Sequence, residues 1–188
     1  MSISIKEQIK NYIPFDEQEE KDKEQFLKFI ETFDNVLTRE NTFGHFSSSA
    51  FVVNKERTKM TVVYHIINDG WIYPGGHADG ENDLLSVAVR EVEEETGLKA
   101  KVLTDSIFGI QSLPVNGHVK RGKYVSAHLH FDVVYLMEAD DTIPLVYRKD
   151  ESKGVKWVSF EEATDETMCD FIRPIHKKLI KKLLSDNI

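Results

Sequence analysis

The sequence predicts an α/β fold in which helices pack on a mixed β-sheet, preceded by an N-terminal helical extension. Residues 5–38 carry apolar side chains at helical spacing among many charged ones. From Ser47 onward, segments rich in β-branched residues follow one another in hairpin-like succession with polar turns between them. Helical patterns return at 83–97 and 171–184, and strands that alternate with helices in this way indicate a sheet covered by helices.

Length and charge limit the function classes. The chain has 188 residues, of which 40% are apolar, enough for one domain and a short additional element. We expect residues 1–45 to form the extension and residues 46–188 to form the main domain with the C-terminal helix. The net charge is −8, from 32 acidic and 24 basic residues, so electrostatic attraction to nucleic acid is weak and no such partner is expected.

The lengths of the apolar runs and the number of cysteines indicate whether the protein associates with a membrane and in which compartment it works. No apolar run approaches the roughly 20 residues needed to span a bilayer, so no membrane partner is expected. The N-terminus, from Met1 to Phe26, lacks the apolar segment typical of a secretory signal. Cys169 is the only cysteine, so no internal disulfide can form. These features predict a reducing, cytoplasmic setting.

The extension is predicted to contain two helices separated near Pro14, the second beginning at Asp16 or Glu17. Their apolar stripes are Ile5, Ile9 and Tyr12, and then Phe26, Leu27, Ile30 and Phe33. We expect these helices to pack on the domain as a lid or brace. A role in forming a homodimer is the alternative.

The remaining elements are predicted from composition and turn signals. The expected strands are 48–53, 61–67, 71–73, 101–110, 124–137 and 155–158. Loops are expected at 112–123 and 140–154, where proline, glycine, asparagine or acidic residues cluster. A short helix begins at 160–163, and the last helix is expected to turn its basic residues toward solvent: Lys177, Lys178, Lys181 and Lys182.

The central helix combines clear termini with an unusual charge run. Asp83 is expected to cap its start and Gly97 its end. Positions i, i+3 and i+4 place three carboxylates on one face: Glu91, Glu94 and Glu95. Glu93 points away from that face. Acids near a helix C-terminus are each unfavourable by about 0.3–1 kcal/mol, a cost that a stable domain can absorb.

Two interpretations of this acidic face remain open from the residues alone. A solvated, charged helix face is the ordinary one. The alternative is a Mg²⁺ site, because hard divalent cations prefer several oxygen ligands. Arg90 stands beside the acids, and Gly75-Gly76 precede the helix, where exposed backbone can approach a ligand closely. This context makes a site for Mg²⁺ and phosphate plausible.

Gly76 to Leu98 resembles the Nudix box, G-x5-E-x7-R-E-U-x-E-E-x-G-U, of the MutT-like Nudix hydrolases. The segment Arg90 to Leu98, REVEEETGL, fits the second half of the box without exception. The first half departs at one position, where Asn82 replaces the glutamate and is flanked by Glu81 and Asp83. That glutamate pairs with the box arginine in the family, so Glu81 is the candidate to take its place.

The resemblance implies a Nudix-type α/β/α sandwich and a hydrolase of acid anhydrides that uses Mg²⁺ or Mn²⁺. The implied substrate is a nucleoside diphosphate linked to another group. By resemblance, Glu91, Glu94 and Glu95 bind the metal with help from the Gly75 carbonyl, and Arg90 orients a box carboxylate. The base that activates water is Glu91, Glu94 or an acid on a later loop, of which Glu151 is one, although an exposed loop acid is its ordinary explanation.

Histidines mark a candidate substrate pocket. His128, His130 and Asp132 alternate on one strand and therefore share a face. They either contact substrate or form a polar strand face satisfied within the fold. His77 follows the double glycine and either contacts a substrate phosphate or has only a role in its loop. The basic side chains of loop 112–123 either close over a phosphate or stay in solvent: Lys120, Arg121 and Lys123.

Three functions are carried forward. The first is a Nudix pyrophosphohydrolase, with ADP-ribose or a nucleotide sugar weakly favoured because Pro114 follows the box at the offset found in some ADP-ribose-hydrolysing members. The second is a Nudix-like sensor that binds a nucleotide or metabolite with little turnover. The third is removal of damaged nucleoside triphosphates, with pyrophosphate as the product.

Overall fold

The computed structural model describes residues 4–66, 69–120, 122–148 and 152–185. Its α-helices are α1 (Ile5–Asn11), α2 (Glu17–Thr32), α3 (Leu84–Thr96) and α4 (Arg173–Ser185). Its strands are β1 (Gly44–Val53), β2 (Lys59–His65), β3 (Gly70–Ile72), β4 (Gly75–His77), β5 (Lys101–Val102), β6 (Gly109–Val115), β7 (His118–Lys120), β8 (Lys123–Val125), β9 (His128–Glu138) and β10 (Ser152–Ser159). None of the helices in these residues has the length and apolar content needed to cross a membrane.

The main sheet is mixed, as predicted. Its strand order is β10-β2-β1-β9-β5, and β3, β4 and β6 add to β2, β1 and β9. Strands β1 and β9 pair in parallel over the full length of β1, from Gly44 opposite Leu129 to Val53 opposite Glu138. The other pairs of this sheet are antiparallel. The parallel pair brings two segments that are distant in sequence into contact at the centre of the fold.

Helices cover both faces of the sheet, in agreement with the predicted sandwich. Alternate residues of β1 and β9 enter two separate hydrophobic clusters. Phe46 and Phe131 pack with α2 and α3 on one face, while Phe51 and Leu136 pack with α4 on the other. The extension contributes to the first cluster, where Phe26 of α2 is fully buried and meets Phe46 and Phe131 edge to face.

The helix termini follow the predicted local signals. The Asp16 side chain accepts a hydrogen bond from the Glu19 backbone N–H at the start of α2. Asp83 does the same for the Ser86 N–H at the start of α3. Gly97 ends α3 with a φ of 72°, a left-handed conformation that glycine adopts without strain.

The segment between residues 101 and 125 differs from its prediction. The expected strand 101–110 is divided into β5 and β6, and the expected loop 112–123 contains the end of β6 and a hairpin made by β7 and β8. Pro114 lies within β6, which pairs only with β9 among the described strands. Proline has no N–H to donate and is therefore compatible with an edge strand.

The basic face of α4 also differs from its prediction. Lys178 and Lys182 are 7% and 9% exposed, instead of projecting into solvent. The Lys178 ammonium lies 3.0 Å from a carboxylate oxygen of Glu19, which is fully buried in α2. Lys182 donates a hydrogen bond to the Tyr12 hydroxyl. This buried polar network joins the N-terminal extension to the last helix.

Candidate active site

The acid-rich end of α3 meets the backbone of the short strand β4. Glu95, 9% exposed, accepts a hydrogen bond of 2.9 Å from the Gly75 N–H. The Glu91 carboxylate lies directly against Gly76, where an added Cβ would come within 2.5 Å of one of its oxygens. A side chain at Gly75 would collide with the Ser49 backbone. The double glycine therefore permits β1, β4 and α3 to approach one another closely.

Two arginines surround the more exposed acids. Arg90 lies 3.3 Å from a Glu91 oxygen and 4.0 Å from a Glu94 oxygen. Arg148, in the segment after β9, lies 3.1 Å from the other Glu94 oxygen. Glu81, the candidate partner for Arg90, accepts a hydrogen bond from the Asp83 N–H. Arg90 is thus close to the box carboxylates themselves.

The donor chemistry at this end of α3 fits a hard divalent cation. Carboxylates and a backbone carbonyl are oxygen ligands of the kind that Mg²⁺ and Mn²⁺ accept. The bare backbone at Gly76 leaves the Glu91 carboxylate in place beside β4. Within the described residues, the three glutamates are not gathered as closely as a bound metal requires, since the only group of three potential ligands within 4.8 Å is made of histidines. Glu94 is 41% exposed, so its side chain can rotate toward an ion.

A buried carboxylate organises the polar half of the sheet face that carries α4. Asp132 on β9 is 1% exposed and accepts hydrogen bonds from four side chains: Ser47, Ser49, Tyr73 and Gln111. Burial raises the pKa of Asp132, while these four donors act in the opposite direction. The four hydrogen bonds fix the positions of β1, β6 and β9 beside the double glycine.

Four histidines lie together at the end of this polar face. His45 on β1 pairs in register with His130 on β9, and their ring centroids are 4.9 Å apart. His128 and His77 lie within 5.2 Å of His130 by the same measure. Burial lowers the pKa of His45 to about 4, that of His77 to about 3 and that of His130 to about 2, so these rings are neutral at physiological pH.

The structure brings the predicted histidines together and places them next to the double glycine. His77 belongs to β4, the strand that contains Gly75 and Gly76, and pairs with Ser47. The charge of Lys120, on the β7–β8 hairpin, is close enough to lower the pKa of His77 further. Glu151 and Arg121, two other sequence candidates, lie outside the described residues.

Sequence reasoning missed His45 and Arg148. His45 alternates with Ser47 and Ser49 along β1, a polar period of two that would have placed all three on one face. Its neighbours His128 and His130 are found only through the parallel pairing of β1 with β9, which no local pattern encodes. Arg148 reaches Glu94 because the segment after β9 returns to α3, where the Val146 N–H donates to the Thr96 carbonyl.

Comparison with known proteins agrees with this geometry. The NUDIX domain family model matches residues 45–183. An RNA pyrophosphohydrolase of Pelagibacter ubique (strain HTCC1062) is 31% identical over 138 residues, which cover 70% of this chain and 86% of that protein. An asymmetrical bis(5'-nucleosyl)-tetraphosphatase of Mus musculus is 35% identical over 95 residues, covering 50% of this chain and 58% of that protein.

A solved structure shares the fold at low identity. The MutT protein from Methanosarcina mazei Go1 superimposes with a TM-score of 0.56 at 18% identity, over 74% of this chain and 95% of that one. Its likeness concerns the curled mixed sheet and its flanking helices. Together with the family match over most of the chain, these findings establish that the chain belongs to the Nudix family and is a pyrophosphohydrolase acting on acid anhydrides.

Proposed function

We propose that this protein is a Mg²⁺-dependent hydrolase, with Mn²⁺ as an alternative ion, that cleaves the pyrophosphate linkage of a nucleoside diphosphate joined to another group. The observation that carries the proposal is the contact between the acid-rich end of α3 and the double glycine of β4. Glu95 holds the Gly75 N–H at 2.9 Å, and Glu91 lies against Gly76. Two carboxylates of the helix thereby lie against the backbone of β4.

The proposed ligands are the carboxylates of Glu91, Glu94 and Glu95 and the carbonyl of Gly75. A bound cation neutralises charge on the phosphates and activates a water for attack on phosphorus. Glu95 already accepts a hydrogen bond from the Gly75 N–H, which keeps its carboxylate against the backbone of β4. Glu94, whose side chain is 41% exposed, would turn from Arg148 toward the ion.

Arg90 is proposed to orient Glu91, because its guanidinium lies 3.3 Å from that carboxylate. On the other side of the double glycine, His77, His128 and His130 are proposed to line the substrate pocket. Lys120 on the β7–β8 hairpin adds positive charge near His77, which favours the phosphate end of a substrate there.

The substrate class is proposed from the relatives and from the chemistry of the site. The names of two relatives, RNA pyrophosphohydrolase and bis(5'-nucleosyl)-tetraphosphatase, both denote hydrolysis of a phosphoanhydride attached to a nucleoside. ADP-ribose and nucleotide sugars contain the same linkage and remain within the proposal. The offset of Pro114 from the box favoured ADP-ribose. Pro114 lies in an edge strand, however, where proline is tolerated, so its position has a structural explanation that does not involve the substrate.

A substrate panel with a matched pair of variants tests the proposal. Purified protein is assayed for phosphate or pyrophosphate release with Mg²⁺ on ADP-ribose, a nucleotide sugar, a dinucleoside tetraphosphate, nucleoside triphosphates and a 5′-triphosphorylated RNA. Glu95→Gln keeps an acceptor for the Gly75 N–H but removes the charge, and Glu93→Gln removes an exposed charge from the same helix. Turnover of one substrate class that is lost only in Glu95→Gln supports the proposal.

Other outcomes distinguish the alternatives. Tight nucleotide binding without turnover on any substrate would replace the hydrolase by a sensor. Preferential turnover of triphosphates with pyrophosphate as the product would favour removal of damaged nucleotides. Full activity of Glu95→Gln would contradict the assignment of the acidic face as the metal site.

A further inference from the structure

The histidine cluster contains an unsatisfied buried nitrogen. His45 is 4% exposed, and its Nε2 has no hydrogen-bond partner among the residues that the structure describes. Its other ring nitrogen, Nδ1, lies 3.4 Å from the Asn41 carbonyl, which can only accept, so Nδ1 carries the proton. The lone pair of Nε2 is therefore available, and the ring centroids of His128 and His130 lie 5.0 and 4.9 Å from that of His45. A buried polar atom without a partner is costly unless a ligand satisfies it.

His128 is oriented in the same way as His45. Its Nδ1 donates to the Ser126 carbonyl at 2.8 Å, which again leaves the lone pair on Nε2. Histidines that bind metals usually donate their second ring N–H to such a carbonyl, which fixes the tautomer and the direction of the ring. Two neighbouring imidazoles that both meet this condition are held ready to coordinate an ion.

The separation between the His128 and His130 ligand atoms fits tetrahedral coordination. The Nε2 atoms of His128 and His130 are 3.3 Å apart. Two nitrogens bound to one tetrahedral Zn²⁺ at about 2.0–2.1 Å are separated by about 3.3 Å. Ligand atoms from His45, His128 and His130 all lie within 4.8 Å of one another, the only such group of three among the residues that the structure describes. Without an ion, a proton on His130 Nε2 makes the hydrogen bond to His128 Nε2. With an ion between these two nitrogens, His130 would carry its proton on Nδ1 instead.

We propose that His45, His128 and His130 form a binding site for one Zn²⁺ ion, distinct from the carboxylate site on α3. Imidazole ligands select Zn²⁺ and similar transition metals over Mg²⁺, which prefers oxygen. Three protein ligands leave a fourth position open, as in zinc sites that bind water or substrate. Because the ligands are neutral, the ion retains its charge, and that charge would attract a phosphate group at the open position.

His176 provides an internal comparison. It is also buried, its Nε2 has no partner in the described part of the chain, and its Nδ1 donates to the Ala163 carbonyl. Its aromatic neighbour is Tyr73, with ring centroids 5.7 Å apart, and it does not belong to the group of three ligands. An unsatisfied nitrogen alone is thus insufficient, and the convergence of three rings distinguishes the proposed site.

Zinc binding by the full chain, without substrate, tests the inference. Protein stripped with a chelator is titrated with Zn²⁺ in excess Mg²⁺, and bound metal is counted after gel filtration. We expect one Zn²⁺ per chain. The affinity for Zn²⁺ should be at least about 100-fold weaker in His128→Ala and His130→Ala, because losing a ligand should weaken binding more than losing a group that only hydrogen-bonds to a ligand. His118→Ala is the matched control, because His118 makes the same contact to the carbonyl two residues earlier, that of Asn116, but lies outside the cluster.

A spectroscopic measurement on the unsubstituted protein covers the case in which a variant fails to fold. Co²⁺ in place of Zn²⁺ absorbs strongly in the visible region when it is four-coordinate and weakly when it is six-coordinate. The proposal predicts strong absorption at one equivalent of Co²⁺ and its loss on addition of Zn²⁺. Weak absorption, or Zn²⁺ retained equally by the three alanine variants, would overturn it. Glu95→Gln should still bind Zn²⁺, so failure of the hydrolase proposal is recognised separately.

Discussion

Replacing Gly76 by alanine tests how closely the double glycine sets the position of the Glu91 carboxylate, a proposed metal ligand. The added Cβ would lie 2.5 and 2.7 Å from the two oxygens of Glu91, whereas ordinary contact begins at 3.4 Å. The nearer oxygen must therefore move by about 0.9 Å, the difference between 2.5 and 3.4 Å. This carboxylate is the far end of a flexible side chain, so the shift is expected to cost less than about 1 kcal/mol of stability. A misplacement of about 1 Å at reacting groups can lower turnover by about 100-fold.

Gly75→Ala is the matched comparison. Its Cβ would lie 2.7 and 2.8 Å from the Cβ and Cα of Ser49, and a backbone atom cannot rotate away. We expect a loss of about 1–3 kcal/mol in the free energy of unfolding. Urea denaturation and Mg²⁺-dependent phosphate release, measured on both variants, separate the two effects. Full activity of Gly76→Ala, or destabilisation equal to that of Gly75→Ala, would show that Gly76 does not set the position of Glu91 in this way.

The remaining predictions concern the buried polar networks and are measured by urea denaturation. Lys178→Met leaves the Glu19 carboxylate buried without its main partner and should cost about 3–5 kcal/mol; a loss below about 1 kcal/mol would contradict this. Burial acts to raise the pKa of Glu19, but Lys178, the Tyr12 hydroxyl, the Phe15 N–H and Lys182 together bring it below its ordinary value of 4.5. Its contribution to stability is therefore present above pH 4.5 and lost as pH falls through the lower, folded-state pKa, a dependence that Glu19→Gln should flatten. Tyr73→Phe removes the hydroxyl that donates to Asp132 and should cost about 1–3 kcal/mol; an unchanged midpoint would contradict the network.

Local signals in the sequence were sufficient for the helices and for the acidic face of α3. Capping by Asp16, Asp83 and Gly97 depends on the backbone within one turn, so the start of α2 and both ends of α3 were predicted correctly. The family resemblance likewise rests on one continuous segment, which the family model confirms.

Features that depend on pairing between distant segments were not predictable in the same way. The end of β6 contains Pro114 and resembles a loop, but β9 provides the partner that makes it a strand. The charge pattern of α4 resembles a solvated face, yet Glu19, in the N-terminal extension, supplies a buried partner for Lys178. His45 joins His130 only through the parallel pairing of β1 and β9.

The N-terminal extension has a structural role that bears on the predicted homodimer. Ile9 and Phe26 are fully buried in the same cluster as the sheet residues, so removing the extension would expose the core. Light scattering of the full chain is therefore the suitable test of self-association. The homodimer stays a prediction, as does the division of the chain at residue 45.

We propose above that the carboxylates of α3 bind the cation that is required for hydrolysis. The most direct measurement is turnover of the best substrate as a function of Mg²⁺ concentration, for the unsubstituted protein and for Glu95→Gln, with folding verified by circular dichroism. We expect Mg²⁺ to activate the unsubstituted protein and Glu93→Gln in a saturable way. Glu95→Gln should be inactive at every Mg²⁺ concentration. Equal activation of all three proteins, or turnover that persists in excess chelator, would contradict this proposal.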